Sequence, residues 1–187
     1  TKLAFEESLK ILSQVHGFEH VILRPHNVYG PRQNMRDPYR NVVTIFMNAL
    51  LKGEPLYVYG DGSQVRCFSY IDDVVTALVR SATLKNVNHI FNVGSDVPYT
   101  VKELAALIMK VSRLKSDVIM LPERPREVKT AVSDHSMAKS ILKYRDTTSL
   151  RSGLKKTWQW AAALGPQQPV FTPIEIESPD LPVNWRK

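Results

Sequence analysis

The sequence predicts an α/β fold, because segments with strand character alternate with segments with helical character along its 187 residues. Residues 20–24 form a short apolar run that ends at a proline, as a buried strand does. Residues 2–15 carry Phe5, Leu9 and Leu12 at helical spacing, with charged residues on the other face. Residues 100–103 read Thr-Val-Lys-Glu, which is a helix capping box. No internal repeat is present, so the alternation belongs to a single α/β arrangement.

The first half of the chain predicts two helices and three strands. The helix over 2–15 and the strand His20–Arg24 are followed by a loop rich in Pro, Asn and Gly. Residues 41–52 are apolar on nearly every face and predict a buried helix that ends at Gly53. Residues 56–59 and 64–70 predict strands around the turn GDGS at 60–63.

The second half continues the alternation. Asp72 and Asp73 predict a helix start with carboxylates facing unpaired amides, and that helix runs to about Leu84. The remaining elements are strands at 90–93 and 118–121, the helix of the capping box, a helix through Leu142 capped by Ser133 or Asp134, and a last helix with a stripe of Leu150, Leu154, Trp158 and Ala161. After Gly165 the chain has no helical period, so residues 166–187 are expected to lie extended over the surface.

Composition excludes several classes of protein. With 43% apolar, 23% charged and 9% aromatic residues, the chain is neither disordered nor collagen-like. Its apolar stretches are far shorter than the roughly 20 residues of a membrane span, and no signal core follows the N-terminus, so a cytoplasmic location is the default. Cys67 is the single cysteine and cannot form an internal disulfide, and no Cys/His cluster has the spacing of a metal site.

The net charge of +7 suits a polyanion or a small phosphorylated ligand. The basic residues are scattered and are not interleaved with aromatics, which disfavours nucleic acid as a partner. The loop after the strand at 20–24 lies where open α/β sheets bind ligands. An ordinary connecting loop rich in Pro and Gly would show the same sequence pattern. Arg24, Arg66 and Arg124 lie near strand ends or in loops, and the fold could gather some of them around a diphosphate. Taken singly, each arginine also suits a surface position or a salt bridge.

Four strings in order carry a family resemblance: LRPHNVYGPRQN (23–34), GDGSQVRCFSYIDDVV (60–75), FNVGS (91–95) and RPREVKTAVSDHSMAK (124–139). They resemble the C-terminal half of extended short-chain dehydrogenases, and most of all the nucleotide-sugar epimerases and dehydratases, with the UDP-glucose 4-epimerases as the nearest group. The resemblance runs from Thr1 to about Ala163. A chain that opens inside a helix without a start methionine is, on this interpretation, the later part of a longer protein.

The resemblance implies the last part of a Rossmann-like doubly wound parallel sheet plus a smaller α/β substrate-binding domain. Residues 1–24 would end the NAD-binding domain, and 25–165 would form the nucleotide-sugar domain, with 64–96 returning to the Rossmann sheet. Residues 166–187 would be the tail. A homodimer formed through the helix that carries Lys2 is expected by analogy, with the apolar face of that helix shared between the partner and the core.

On the cofactor side, Lys2 resembles the lysine of the family's Y-x-x-x-K pair, whose tyrosine would lie four residues earlier. An ammonium beside a phenol favours the phenolate, so such a tyrosine can remove a hydroxyl proton. Pro25, His26 and Asn27 resemble residues that flank the nicotinamide of NAD, and Asn27 also flanks the sugar diphosphate. His26 stands where an aromatic residue is common, so packing beside the cofactor is favoured over a catalytic role.

On the substrate side, Asn41 resembles an asparagine that binds the substrate phosphates, and a plain helix cap fits it equally well. Tyr57 and Tyr59 flank a stretch that receives uracil, although strand alternation could put one of them in the core. Arg66 is the best single candidate for a phosphate ligand, and Arg124 with Glu127 resembles a clamp on diphosphate and ribose.

Two positions depart from the family pattern. Cys67 stands where an acidic residue is common, and it is interpreted as an inert strand residue because no base is evident next to it. Arg126 stands where glycine is common.

The implied activity is NAD-dependent epimerisation of a nucleotide sugar, in which hydride leaves sugar C4 and returns to the opposite face. A 4,6-dehydratase or a decarboxylase on the same scaffold is the alternative enzyme, and a non-catalytic nucleotide-sugar binding module is the alternative of another class. No Gly-rich dinucleotide fingerprint is present, so these 187 residues alone are not expected to bind NAD tightly or to turn over.

Overall fold

The computed structural model describes residues 1–85 and 87–171. Within these residues the helices are α1 Lys2–His16, α2 Val42–Lys52, α3 Ile71–Ser81, α4 Val101–Ser112, α5 Ser136–Ile141 and α6 Leu150–Leu164. The strands are β1 His20–Pro25, β2 Val28–Tyr29, β3 Leu56–Tyr59, β4 Val65–Cys67, β5 Ser69–Tyr70, β6 Asn88–Val93, β7 Pro98–Thr100, β8 Val118–Leu121 and β9 Thr130–Ala131. None of the described helices is long and apolar enough to cross a membrane.

Parallel strand pairs dominate the sheets. Strands β1 and β6 pair in parallel with Pro25 opposite Val93, and the pairs β2 with β5 and β3 with β8 are parallel as well. Strand β4 pairs with β7 in the antiparallel and with β9 in the parallel sense. The predicted α/β class is therefore confirmed, whereas the division of the chain into cofactor and substrate domains stays a prediction.

Two apolar clusters form the core. The larger one packs α2, β3, α4 and α6 together, and its fully buried members include Phe46, Met47, Leu104, Ile108 and Leu154. The smaller one packs α3 and α5 on β6 and includes Phe91, Val93 and Tyr144. The predicted buried helix at 41–52 and the apolar stripe of the last helix are confirmed, because both contribute to the larger cluster.

The segment around the GDGS turn differs from its prediction. The flanking strands do not pair with each other, because β3 takes β8 as its neighbour. The turn is instead held against the start of α4, where Lys102 N donates to Gly62 O and Val101 N donates to Gln64 O, each at 3.1 Å. The single strand expected over 64–70 is interrupted at the buried Phe68, which separates β4 from β5.

Two helix starts also differ from their predictions. Asp73 does not cap α3, because its carboxylate accepts from the Thr147 hydroxyl at 2.6 Å and from Thr148 N at 2.9 Å. The same helix ends at Ser81, three residues earlier than predicted. Neither cap candidate for α5 stands at the N-cap, which is His135. Asp134 accepts from Ser136 N at 2.9 Å, while Ser133 bonds elsewhere.

The apolar face of α1 is not part of either core cluster. Phe5 is 73% and Leu12 47% exposed, and the one buried residue of this helix is Ser13. Helix α1 packs beside β1. The predicted sharing of its apolar face between a partner and the core stays a prediction.

The start of the predicted tail lies along α2. Asn48 and Gln167 exchange two hydrogen bonds of 2.8 Å, and Val170 N donates to Arg36 O at 2.8 Å. Residues 166–171 are thus extended along the surface as predicted, and the rest of the tail, 172–187, lies outside the described residues.

Candidate functional site

A cleft of 790 Å³ opens beside β3, β4 and the first turn of α2. Eight of the ten predicted site residues line it: Lys2, Asn27, Asn41, Tyr57, Tyr59, Arg66, Arg124 and Glu127. Pro25 and His26 do not line it. The charged side chains of the lining comprise five basic and three acidic residues, so the cleft carries a net charge of +2 and favours an anionic ligand.

Two arginines that are distant in sequence meet at one carboxylate. Arg124 donates to Glu127 from Nε at 3.1 Å and also from Nη2, and Arg66 Nη2 lies 3.5 Å from Glu127 Oε1. The Glu127 side chain is only 5% exposed, against 18% for Arg66 and 35% for Arg124. Glu127 therefore holds both guanidinium groups at the wall of the cleft, while each keeps donors for a further anion.

The third arginine of the predicted group lies elsewhere. Arg24 donates from Nε to Glu6 of α1 at 2.9 Å and is not part of the cleft lining. The hydrogen bond with Glu6 raises the pKa of Arg24 further above its ordinary value. The structure thus brings together two of the three arginines, because α1 offers the third a closer carboxylate.

The two tyrosines of β3 lie on the same face of that strand. Leu56 and Val58 point into the core, which leaves Tyr57 and Tyr59 on the cleft side. The alternative that one of them lies in the core is therefore wrong. The Arg124 guanidinium stacks over the Tyr59 ring with 4.7 Å between its carbon and the ring centroid. Tyr57 is 49% exposed and presents an open aromatic surface at the same wall.

Asn41 and Asn27 both have bonds within the protein. Asn41 caps α2 by accepting from Val43 N at 3.2 Å, and its amide donates to Val28 O at 3.1 Å. Asn27 lies in the left-handed region with φ of 37° and donates to Cys67 O at 2.9 Å. The cap interpretation of Asn41 is confirmed, and the ligand roles of both residues stay predictions.

Lys2 lies at the first position of α1, is exposed, and is one of the residues that line the cleft. Cys67 is buried in β4, and burial raises the pKa of its thiol, which agrees with an inert side chain. Arg126 adopts the left-handed conformation with φ of 57°, in the turn where Glu127 N donates to Arg124 O. Glycine adopts that conformation without strain, which fits the glycine that the family resemblance implies at this position.

The sequence interpretation missed Gln64. Its side-chain amide donates to Tyr59 O at 2.6 Å and lies 3.5 Å from Glu127 Oε2, so it connects β3 to the arginine pair. Its Oε1 is buried with no hydrogen-bond partner among the described residues. The position of Gln64 just before β4 was the available signal, but a glutamine in a turn carries little information by itself.

Pro25 and His26 lie at the carboxyl ends of the parallel strands β1 and β6, where His26 N donates to Val93 O at 3.0 Å. Such strand ends are the usual ligand side of a parallel sheet. The contact of Pro25 and His26 with a nicotinamide stays a prediction. Within the described residues no group of His, Cys, Asp and Glu side chains is arranged to hold a metal ion.

Comparisons with known proteins identify the family of the chain. Residues 1–94 match the NAD dependent epimerase/dehydratase family. A UDP-N-acetyl-alpha-D-glucosaminuronate decarboxylase from Bacillus cytotoxicus is 32% identical over 161 residues, which cover 83% of this chain and 50% of that protein.

Among solved structures, UDP-glucose 4-epimerase from Thermotoga maritima with UDP-glucose matches with a TM-score of 0.78 and 35% identity, over 85% of this chain and 51% of the other. The UDP-glucuronic acid 4-epimerase from Bacillus cereus, in complex with UDP-glucuronic acid and NAD, matches with a TM-score of 0.80 and 29% identity, over 87% and 51%. The chain spans about half the length of the relatives it matches. A parallel-stranded fold, an arginine-lined cleft and a match over the first half of its residues together show that the chain belongs to the NAD dependent epimerase/dehydratase family.

Proposed function

We propose that this chain is the nucleotide-sugar-binding portion of an NAD-dependent epimerase that interconverts UDP-glucose and UDP-galactose. The observation that carries the proposal is the meeting of Arg66 and Arg124 at Glu127 inside the cleft. Paired guanidinium groups offer several N–H donors to the oxygens of a diphosphate. The half-exposed Tyr57 on the same wall supports placing the base there.

In this proposal each part of the cleft has one task. Arg66 and Arg124 hold the diphosphate. Glu127 offsets part of their positive charge and orients their guanidinium groups. The N-terminus of α2, with Asn41 as its cap, adds a favourable field for the same anion. Binding energy from the nucleotide then orients the sugar toward Lys2 and Asn27, where the reaction would take place.

The chemistry that bound NAD would supply is reversible hydride transfer at sugar C4, with return of the hydride to the other face of the ring. The role of this chain in that reaction is electrostatic. The Lys2 ammonium would favour the ionised form of a neighbouring phenol, so that the phenolate can take the proton of the sugar hydroxyl. Pro25 and His26 would bound the nicotinamide at the ends of β1 and β6.

A decarboxylase acting on a UDP-uronic acid is the second candidate, favoured by the similarity to the Bacillus cytotoxicus enzyme. It differs from the first in its product, since the uronic acid loses carbon dioxide. Product analysis with the full-length protein supplied with UDP-glucose or UDP-glucuronic acid distinguishes the two.

Calorimetric titration of the 187-residue chain tests the binding half of the proposal. We expect micromolar binding of UDP-glucose and UDP, and no binding of glucose. Arg66→Ala should weaken UDP binding by about tenfold to a hundredfold, because a hydrogen bond to a charged group contributes about 1.5–3 kcal/mol. Arg151→Ala is the matched control, because Arg151 is exposed on α6 and does not line the cleft.

Equal affinity of wild type and Arg66→Ala for UDP would contradict the proposal. Tight binding without turnover by the full-length protein would favour the non-catalytic module. We also expect a homodimer that covers the exposed apolar side chains of α1, among them Leu3, Phe5 and Val15. Sedimentation of the chain checks this expectation.

A further inference from the structure

A chain of four polar side chains lies outside the cleft. The Ser133 hydroxyl is 2.8 Å from His135 Nε2, and His135 Nδ1 is 3.0 Å from Asp96 Oδ1. On its other side, Ser133 Oγ is 3.4 Å from His26 Nδ1. The far oxygen of Asp96 pairs with Lys139 at 2.5 Å. These contacts join the end of β1, the loop after β6 and the start of α5 into one hydrogen-bonded path.

Serine, histidine and aspartate in this order also occur in hydrolases, where the serine is a nucleophile. The packing here excludes that role. The His135 side chain is fully buried, and a Cβ added at Gly94 would lie 3.1 Å from His135 Nε2 and 3.0 Å from Ser69 Oγ. Gly94 therefore packs directly against the base, with no room there for one added carbon. The path is suited to fixing positions of protons, not to forming a covalent bond.

The direction of the hydrogen bonds follows from Asp96. A carboxylate can only accept, so His135 donates from Nδ1, and in the neutral form of the ring Nε2 is left as an acceptor. The single proton of Ser133 then goes to His135 Nε2, which is the shorter of its two contacts. The Ser133 oxygen is left to accept, and the donor on its other side is His26 Nδ1–H. Nε2 of His26 then carries a lone pair, and it has no hydrogen-bond partner among the described residues.

The surroundings keep His26 uncharged near neutral pH. Burial, together with the neighbouring His135 ring at 5.7 Å between centroids, lowers the pKa of His26 below its ordinary value. The other groups that face this ring and its backbone are the hydroxyls of Ser133 and Ser69, the latter bonded to His26 O at 2.6 Å. The carboxylate of Asp96 lies behind His135 and Ser133, and Lys139 offsets its charge.

We propose that Asp96, His135 and Ser133 are positioning residues that hold His26 as its Nδ1–H tautomer, so that His26 Nε2 is a fixed hydrogen-bond acceptor at the carboxyl ends of β1 and β6. The acceptor suits an N–H or O–H donor of a ligand at that edge, such as the carboxamide of a nicotinamide. Only this ligand assignment rests on the proposed function. The tautomer itself follows from the hydrogen-bond path with the His135 ring in its neutral form.

Nitrogen-15 NMR of histidine-labelled 187-residue chain at pH 7.5 tests the inference, since the ring nitrogen shifts distinguish the two neutral tautomers. Wild-type His26 should show a single Nδ1–H signature. Ser133→Ala removes the acceptor of that proton, so the signature should be lost to a mixture of both tautomers. Ser133→Thr keeps the hydroxyl and should restore it. Ser140→Ala is the matched control, because that hydroxyl only bonds within α5.

Several results would overturn the inference. Detection of the Nε2–H tautomer of His26 in the wild-type chain would by itself contradict the inference. An unchanged Nδ1–H signature in Ser133→Ala would show that the cluster does not set the tautomer of His26. Labelling of Ser133 by a fluorophosphonate would reassign the cluster to nucleophilic chemistry. None of these measurements requires a nucleotide sugar. The inference can therefore fail while the calorimetric test with UDP succeeds, and the reverse.

Discussion

Replacing Glu127 with Gln tests whether one carboxylate holds the two arginines. The amide keeps the shape of the side chain but removes its charge, which leaves Arg66 and Arg124 close together without a shared counter-ion. Breaking a fully buried ion pair costs about 3–5 kcal/mol. Because the Arg124 side chain is 35% exposed and water screens part of its charge, we expect a loss of about 2 kcal/mol in the free energy of unfolding.

Urea denaturation measures this loss directly. With a slope of about 1–3 kcal/mol per molar urea, the midpoint of Glu127→Gln should fall by about 1 M. Glu54→Gln is the control, because Glu54 is 56% exposed and lies 3.8 Å from Lys52. Such a surface pair should contribute less than about 1 kcal/mol. If both variants unfold at the wild-type midpoint, Glu127 does not organise the arginines and the reasoning is refuted.

Three further predictions concern packing, capping and pH. Gly153→Ala should destabilise by about 1–3 kcal/mol although alanine favours helices, because the added Cβ would lie 2.2 Å from Tyr29 Oη; a gain in the unfolding midpoint would refute the packing. Asn41→Ala should cost about 1–2 kcal/mol in denaturation, and Asn41→Asp, which keeps the cap acceptor, should recover part of it. The lowered pKa of His26 means that the unfolded chain binds more protons at mildly acidic pH. Stability should therefore decrease as the pH falls below about 6.5, and His26→Asn should flatten that slope; an identical slope in both proteins would contradict the assignment.

The elements that the sequence predicted well are those with local signals. The helix α4 begins at a complete capping box between Thr100 and Glu103, and α2 begins at an asparagine cap and ends at Gly53 with φ of 71°. These features depend on residues within one or two turns of each other. The two-residue strands β2 and β9 were missed, because so short a strand is defined by its partner and not by its own composition.

The candidate site was predictable in part. Family resemblance placed Arg66, Arg124 and Glu127 in one group, and the structure brings them into contact. The expectation that the fold gathers some of the three arginines is confirmed for Arg66 and Arg124, whereas Arg24 pairs with Glu6 at 2.9 Å, which its neighbours along the chain do not indicate.

The cluster of Asp96, Ser133 and His135 could not be found from spacing. Its carboxylate and its imidazole are 39 residues apart, and they meet because α5 packs on β6. The ligand roles of Lys2, Asn27 and the tyrosines of β3 stay predictions.

The central claim is that the two guanidinium groups bind the diphosphate of a nucleotide sugar. A crystal structure of this chain soaked with UDP-glucose tests it most directly. We predict that the pyrophosphate lies in the cleft within hydrogen-bond distance of both Arg66 and Arg124, with the base against Tyr57. A pyrophosphate bound away from these arginines, or a cleft that stays empty at a saturating ligand concentration, would contradict the claim.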